Sequence, residues 1–294
     1  HYDVQPADPL DQWLSPPFEP TIREGFLYGR GVIDDKCGAV VNLQALESIL
    51  AAQGRLPVNV KIVFEGEEEC GSPNMERFVQ AERERLAAEL LLLSDGTSLE
   101  DQPRCMASVR GIVQGSVLFR GPQRDVHSGT FGGIVHNPVH QVARLVAALH
   151  DAEGRVQVPG FYAGVQPLTP EERAALATTE ELLRQELREE TGKDRTWGLP
   201  QASLVARSTA LPTCDVNGIF GGYQGEGVKT IIPAQAGCKV TFRLVAGQDP
   251  GRVAEAFKRF AQGFACATLD LEVQASGLGW AAELLTEGPA VEAL

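Results

Sequence analysis

The chain has 294 residues, 43% apolar and 22% charged, which suits one large globular domain or two of ordinary size. Its formal net charge of −13 at pH 7 repels nucleic acid and anionic membranes, and no apolar run approaches the roughly 18 residues of a spanning helix, so neither partner is expected. Six cysteines, at 37, 70, 105, 214, 238 and 266, are scattered without a Cys-x-x-Cys pair, which reads as reduced thiols of a cytoplasmic protein and not as a disulfide framework or zinc ribbon.

Residues 38–53 place apolar side chains at helical spacing and are followed by Gly54, which predicts a helix and its stop. Val58–Phe64 alternates and is β-branched, which predicts a strand. A helix is expected over 74–86, opening at Asn74, and a short leucine-rich strand over Glu89–Leu93, ending at Ser94-Asp95-Gly96. Strands alternating with helices predict an α/β layer with a mostly parallel sheet. The pattern changes after about residue 105. Val109–Phe119 reads as a strand, and Asn137-Pro138 opens a helix through His150, with Asn as cap and Pro in the first position. Residues 170–189 are expected to be helical. Strands are expected near 203–207, 214–219, 237–245 and 267–274, with a helix over 250–263. Helices and strands without strict alternation predict a second, α+β domain.

Five short motifs carry candidate chemistry. In His1-x-Asp3 the alternate residues of an extended chain point the same way, so His1 can bind a metal while Asp3 fixes its tautomer. In Gly29-Arg30-Gly31-Val32-Ile33-Asp34-Asp35-Lys36 a carboxylate follows glycines that allow close backbone approach, and a carboxylate can bridge two metal ions. Phe64-Glu65-Gly66-Glu67-Glu68-Glu69-Cys70-Gly71 puts acids at a predicted strand end. There one carboxylate can bind metal while its neighbour takes a proton from water. Asp95 ends the leucine-rich segment, the place where α/β sheets hold ligands. His127, in Arg124-Asp125-Val126-His127-Ser128-Gly129-Thr130-Phe131-Gly132-Gly133, can donate to a developing oxyanion. Each motif alone also reads as a turn, a cap, a solvated acidic loop or a surface histidine. Together they supply an N/O ligand set suited to Zn²⁺ or Mn²⁺ and not to a thiolate site.

The order of these motifs resembles the M20 metallopeptidase family, which includes carnosinase-like dipeptidases, aminoacylases and the deacylases of arginine and lysine biosynthesis. The resemblance covers most of the chain. It implies a dinuclear metal-dependent hydrolase of amide bonds, with a dipeptidase preferred over an N-acyl amino acid deacylase. It implies His1, Asp34, Glu69 and Asp95 as metal ligands, with Asp34 bridging two divalent ions, Zn²⁺ first and Mn²⁺ or Co²⁺ as alternatives. Asp3 would orient His1, Glu68 would be the general base and acid, and His127 would stabilise the oxyanion. Arg243 would hold a substrate carboxylate, its planar fork suiting that group, with Asn217 and Thr230 also contacting a small peptide or N-acyl amino acid. Arg243 alone also reads as a strand-edge ion-pair residue.

The implied organisation is a partial catalytic domain over residues 1–105, an inserted lid and dimerisation domain over 106–280, and the start of a return to the catalytic domain over 281–294. In the family the oxyanion histidine commonly reaches the active site of a partner subunit, so a homodimer is expected. Cys37 stands where the family usually has Gly, and Cys70 where a small residue is common. The family's last metal ligand is a C-terminal His, and no His follows His150 here. The chain is therefore expected to hold the middle of such a protein, and by itself to bind metal weakly and show little activity. The rival reading is a non-catalytic dimerising homologue whose acidic loop is only solvated.

Overall fold

The protein is described by a computed structural model covering residues 1–96, 106, 108–284 and 288–292. Cys105 and part of the expected return, residues 285–287 and 293–294, lie outside these described residues. The chain divides into two compact units, His1–Cys105 and Met106–Leu294.

In the first unit, strands β1 (Thr21–Arg23) and β2 (Phe26–Tyr28) form a short antiparallel hairpin. Helix α1 covers Gly38–Gln53 and ends where expected. Gly54 takes φ 71°, and its N–H donates to the Leu50 carbonyl, a left-handed stop that glycine adopts without a Cβ penalty. The helix expected over 74–86 is two pieces, α2 (Met75–Ala81) and α3 (Arg83–Leu86), with non-helical backbone at Glu82 between them.

No parallel ladder joins the described residues of this unit. Val58–Phe64 and Glu89–Leu93 join no ladder with any described residue, and every ladder among the described residues is antiparallel. Alternating β-branched residues express a capacity to pair, but a strand needs a neighbour's N–H and C=O groups to satisfy its own. Neither run has such a neighbour among the described residues, and both leave their apolar side chains open, Val58 at 67% and Leu91 at 79% exposure. Few side chains described in this unit are buried, among them those of Ala7, Asp35 and His1.

The second unit begins with β3 (Ser108–Val109), β4 (Gly111–Arg120), β5 (Val126–His127) and the short helix α4 (Ser128–Phe131). Helix α5 (Pro138–Ala148) follows, with the Asn137 side chain accepting from the Val139 N–H and Pro138 in the first turn. The expected helix over 170–189 is split into α6 (Pro170–Ala177) and α7 (Glu180–Thr191). A reciprocal pair of bonds between Thr169 and Glu172 caps α6. Then come β6 (Thr213–Gly221), β7 (Ile231–Ile232), β8 (Gln235–Leu244), α8 (Pro250–Gln262), β9 (Asp270–Gly279), β10 (Ala282–Glu283) and α9 (Pro289–Glu292). Residues 203–207, expected as a strand, enter a wide helical turn over Ala206–Ala210. The Glu180 carboxylate accepts from the N–H groups of Leu204 (3.0 Å) and Val205 (3.1 Å), which caps a helical start and outweighs the local β-branched character.

The main sheet has the order β6-β8-β4-β9, antiparallel throughout. One face buries Val113, Val117 and Phe119 of β4 and Val240, Phe242 and Leu244 of β8 against Val142 and Leu145 of α5 and Val253 and Phe257 of α8. The other face carries Ile112, Gln114, Lys239, Thr241 and Arg243, half-buried or exposed. This is the alternation of an antiparallel sheet covered on one side only. Phe242 lies at the centre, with ring centroids of Phe161 at 5.6 Å and Phe257 at 5.2 Å. Replacing it by Ala removes a fully buried ring, and we expect Phe242→Ala to lower the unfolding free energy of this unit by about 3–5 kcal/mol, read as a lower urea midpoint with an unchanged slope.

Candidate metal centre

Three segments of the first unit converge on the imidazole of His1. Asp3 Oδ1 lies 3.2 Å from its Nδ1, and Asp34 Oδ1 lies 3.1 Å from its Nε2. Glu68 Oε2 and Asp95 Oδ2 lie 3.8 and 3.9 Å from the same Nε2. The ligand atoms of His1, Asp34 and Asp95 all fall within 4.8 Å of one another. The imidazole is almost fully covered (3% exposed), whereas the Asp34 carboxylate is open (64%).

Local backbone accounts for the convergence. The Asp3 carboxylate also accepts from the main-chain N–H groups of Glu68 (3.3 Å) and Glu69 (3.0 Å), at the start of the helical turn Glu68–Cys70. Tyr2 donates its N–H to the Glu65 carbonyl, 2.9 Å away. On the other side, Lys36 donates to the Tyr2 carbonyl (2.9 Å), and the His1 main-chain nitrogen donates to the buried Asp35 carboxylate (2.8 Å). Asp95 is brought in by a close approach at Gly38. A Cβ at that position would overlap the Ser94 carbonyl oxygen and the Asp35 carboxylate. One turn on, Asn42 donates to the Ser94 hydroxyl (2.9 Å). The peptide between Asp34 and Asp35 is cis.

The acids disturb one another. Burial, and then the nearby charges of Asp95, Glu69, Asp3 and Glu65, push the Glu68 carboxyl above its usual range. Asp95 is pushed up by burial and then by Asp35 and Asp34. A divalent cation between the His1 nitrogen and these oxygens relieves the crowding, and imidazole with carboxylates is a donor set that such ions accept. The residues present therefore fit a metal.

The structure gathers His1, Asp3, Asp34, Glu68 and Asp95. It does not bring Glu69 into the same group. Both Glu69 carboxylate oxygens accept from Gln5, one from its N–H (3.1 Å) and one from its side-chain amide (2.7 Å). Gln5 and Asp35 were missed as site residues by sequence reasoning. Asp35 stands inside a motif singled out there and Gln5 two residues beyond one, and the spacing carried no sign of what their side chains hold.

The remaining candidates lie in the second unit. His127 is exposed on β5 and pairs across to Ile231 of β7. Its Nδ1 accepts from the Gly129 N–H at 3.0 Å, which leaves the ring proton on Nε2. Thr230 Oγ1 lies 3.5 Å from that Nε2. Asn217 sits where the β6–β8 register shifts between Val216 and Gly218, and its Oδ1 accepts from the Thr241 hydroxyl (2.5 Å). Arg243 lies on the open face of β8, opposite Ile112 and Thr213. Arg110 was not anticipated. Burial, and then the like charge of Arg243, hold its guanidinium below the usual range, with Asp215 acting in the opposite sense.

A cluster of one imidazole and several carboxylates, with an acid at its edge, is a candidate divalent-metal centre of N and O ligands. The pattern of Peptidase family M20/M25/M40 matches residues 1–270, and the chain belongs to that family. It is 33% identical over 256 residues to a β-Ala-His dipeptidase of Rattus norvegicus, covering 86% of this chain and 52% of that protein. It is 33% identical over 254 residues to the Cys-Gly metallodipeptidase dug1 of Schizosaccharomyces pombe, covering 85% of this chain and 53% of that one. Among solved structures, an M20 family metallo-carboxypeptidase, Sso-CP2 of Sulfolobus solfataricus, superposes with a TM-score of 0.87 at 33% identity, over 100% of this chain and 66% of that one. The chain spans about half the length of the curated relatives it matches. No helix among the described residues is long and apolar enough to cross a membrane.

The Asp3 bridge generates a prediction. Asp3→Ala removes the acceptor that fixes the His1 tautomer and leaves two N–H groups unpaired, so the full-length protein should hold Zn²⁺ about 10–100-fold more weakly, read by competition with a chromogenic chelator. Unchanged affinity would show that Asp3 does not position His1.

Proposed function

We propose that the protein is a metal-dependent dipeptidase that hydrolyses the amide bond of a small peptide. The observation that carries this reading is the meeting of His1, Asp34 and Asp95 ligand atoms within 4.8 Å of one another, with the Glu68 carboxylate beside them. Family membership and the dipeptidase names of the relatives support it. In this reading His1, Asp34, Glu69 and Asp95 would hold two divalent ions, Zn²⁺ before Mn²⁺ or Co²⁺. Glu69 would exchange its bonds to Gln5 for a metal. Ions bound there would polarise the scissile carbonyl and acidify the attacking water.

The chain's own groups do the rest. Glu68, its carboxyl already raised by burial and neighbouring acids, takes a proton from the attacking water and passes it to the leaving amine. His127 donates its Nε2 proton to the oxyanion. Arg243 pairs with the substrate carboxylate, and Asn217 and Thr230 supply polar contacts. Pairing of two copies through residues 106–280 and a cytoplasmic location belong to the same reading. N-acyl amino acid deacylation is the alternative within the family, and the relatives' dipeptidase names disfavour it.

The test uses the full-length protein with a dipeptide panel and N-acetyl amino acids. The wild type should carry about two metals per chain, the geometry of a paired site, and cleave dipeptides in preference. Glu68→Gln should keep the metals and lose at least about a hundredfold in kcat, the lower end of what a positioned acid–base group supplies. Hydrolysis of N-acetyl amino acids alone would replace the dipeptidase reading with deacylation. A metal-loaded protein that cleaves nothing would favour a non-catalytic homologue.

A further inference from the structure

The five described cysteines sit in different surroundings. Cys214 and Cys238 are buried in the core, and burial pushes their thiols up to about 12 and about 11, so neither is a nucleophile near neutrality. Cys37 and Cys70 are exposed within the segments of the candidate metal centre. Cys266 is separate from all of these, half-exposed in the turn that links α8 to β9.

That turn is built around the sulfur. Cys266 and Leu269 form an isolated antiparallel bridge, which folds the N–H groups of Thr268 and Leu269 toward Sγ. The Thr268 hydroxyl lies 3.6 Å from Sγ. From the chain just before α5, His136 places its Nδ1 3.7 Å from Sγ and 2.8 Å from the Thr268 hydroxyl. The buried Gln141 of α5 anchors the approach to the turn by donating to the Phe264 carbonyl. The titratable or charged side chains facing the sulfur are His136 and, from α5, Arg144. Asp270, the nearest acid in sequence, lies opposite Arg120 on β4.

This arrangement has a consistent proton assignment. When the thiol gives up its proton to His136, the Nδ1–H donates to the Thr268 oxygen and the Thr268 O–H donates to the sulfur anion. Two main-chain N–H groups and the Arg144 charge complete its stabilisation, and the thiol is held below its usual range by Thr268 first of all. A nucleophile, a base and three donors thus share one surface turn.

We propose that Cys266 is a modification site of the second unit, a surface thiol activated by His136 and Thr268 that exchanges with small disulfides to form a mixed disulfide. The Cys266 sulfur attacks one sulfur of R–S–S–R. The new S–S bond forms as the old one breaks, and the electron pair leaves with R–S⁻, which takes up the proton released from the thiol. The disulfide is the only co-reactant. The proposal does not depend on the dipeptidase reading.

The test is incubation of the protein with glutathione disulfide across a pH series, followed by peptide mapping of each cysteine. The same measurement on the urea-unfolded chain gives Cys266 as an ordinary thiol. Native Cys266 should react at least about tenfold faster than in the unfolded chain at pH values below the ordinary thiol pKa of about 8.5, and before Cys37 and Cys70. Its rate should rise through a midpoint below that of the unfolded chain. His136→Ala and Thr268→Val should move the midpoint upward, while Thr268→Ser, which keeps the hydroxyl, should restore it. Thr268 is exposed, so these variants leave the core intact. Equal rates in native and unfolded chains, or a midpoint unmoved by both variants, would overturn the proposal.

Discussion

The candidate centre depends on one carboxylate. Asp3 reaches the Nδ1 of His1 with one oxygen and accepts from the main chain at Glu68 and Glu69, so it joins stretches of chain more than sixty residues apart. The same contact determines which way the imidazole is protonated. A proton on Nδ1 directed at Asp3 leaves the Nε2 lone pair facing Asp34, Asp95 and Glu68. The other contacts, Tyr2 with Glu65, Lys36 with the Tyr2 carbonyl and His1 with Asp35, hold the participants at the separation this carboxylate requires.

The two units hold their shape by different physics. The second has a conventional apolar core, with one face of a four-stranded sheet sealed by two helices and a row of packed phenylalanines. The first is organised by polar contacts around a knot of acids, with few buried side chains among its described residues. Burial and, after it, like charges this close raise the free energy of the ionised carboxylates, as the upward shifts of Glu68 and Asp95 express. A counter-ion of charge two would offset this, and its binding would be coupled to local order in this unit.

The second unit was read from sequence more completely than the first. The start of α5 follows from Asn137-Pro138 and the extent of α8 from the expected helix over 250–263, and in the first unit the end of α1 follows from Gly54. Strands β4, β6, β8 and β9 were found within a few residues. Periodicity failed where the outcome depends on a distant group. Val58–Phe64 looks like a strand but has no described neighbour. Val205 looks like part of one, yet a carboxylate twenty-five residues away starts a helical turn there. For the centre, residue type and spacing marked the segments that carry His1, Asp3, Asp34, Glu68 and Asp95, and the family resemblance singled out these residues within them. The hold of Gln5 on Glu69 and the squeeze at Gly38 are events of tertiary approach, and no local pattern announces them.

Strand β8 shows how stability and recognition can share one segment. Its even-numbered residues from Ala236 to Leu244 are sealed in the core, and its odd-numbered residues Lys239, Thr241 and Arg243 face outward. A pleat of period two keeps these sets apart, because no side chain on one face can reach the other. Evolution can therefore edit the outward set, including the proposed carboxylate-binding Arg243 and the Thr241 partner of Asn217, while packing constrains the inward set. Changes of ligand preference along β8 should accumulate at alternate positions, leaving a comb-like pattern of variation in which the teeth record selectivity and the gaps record the core.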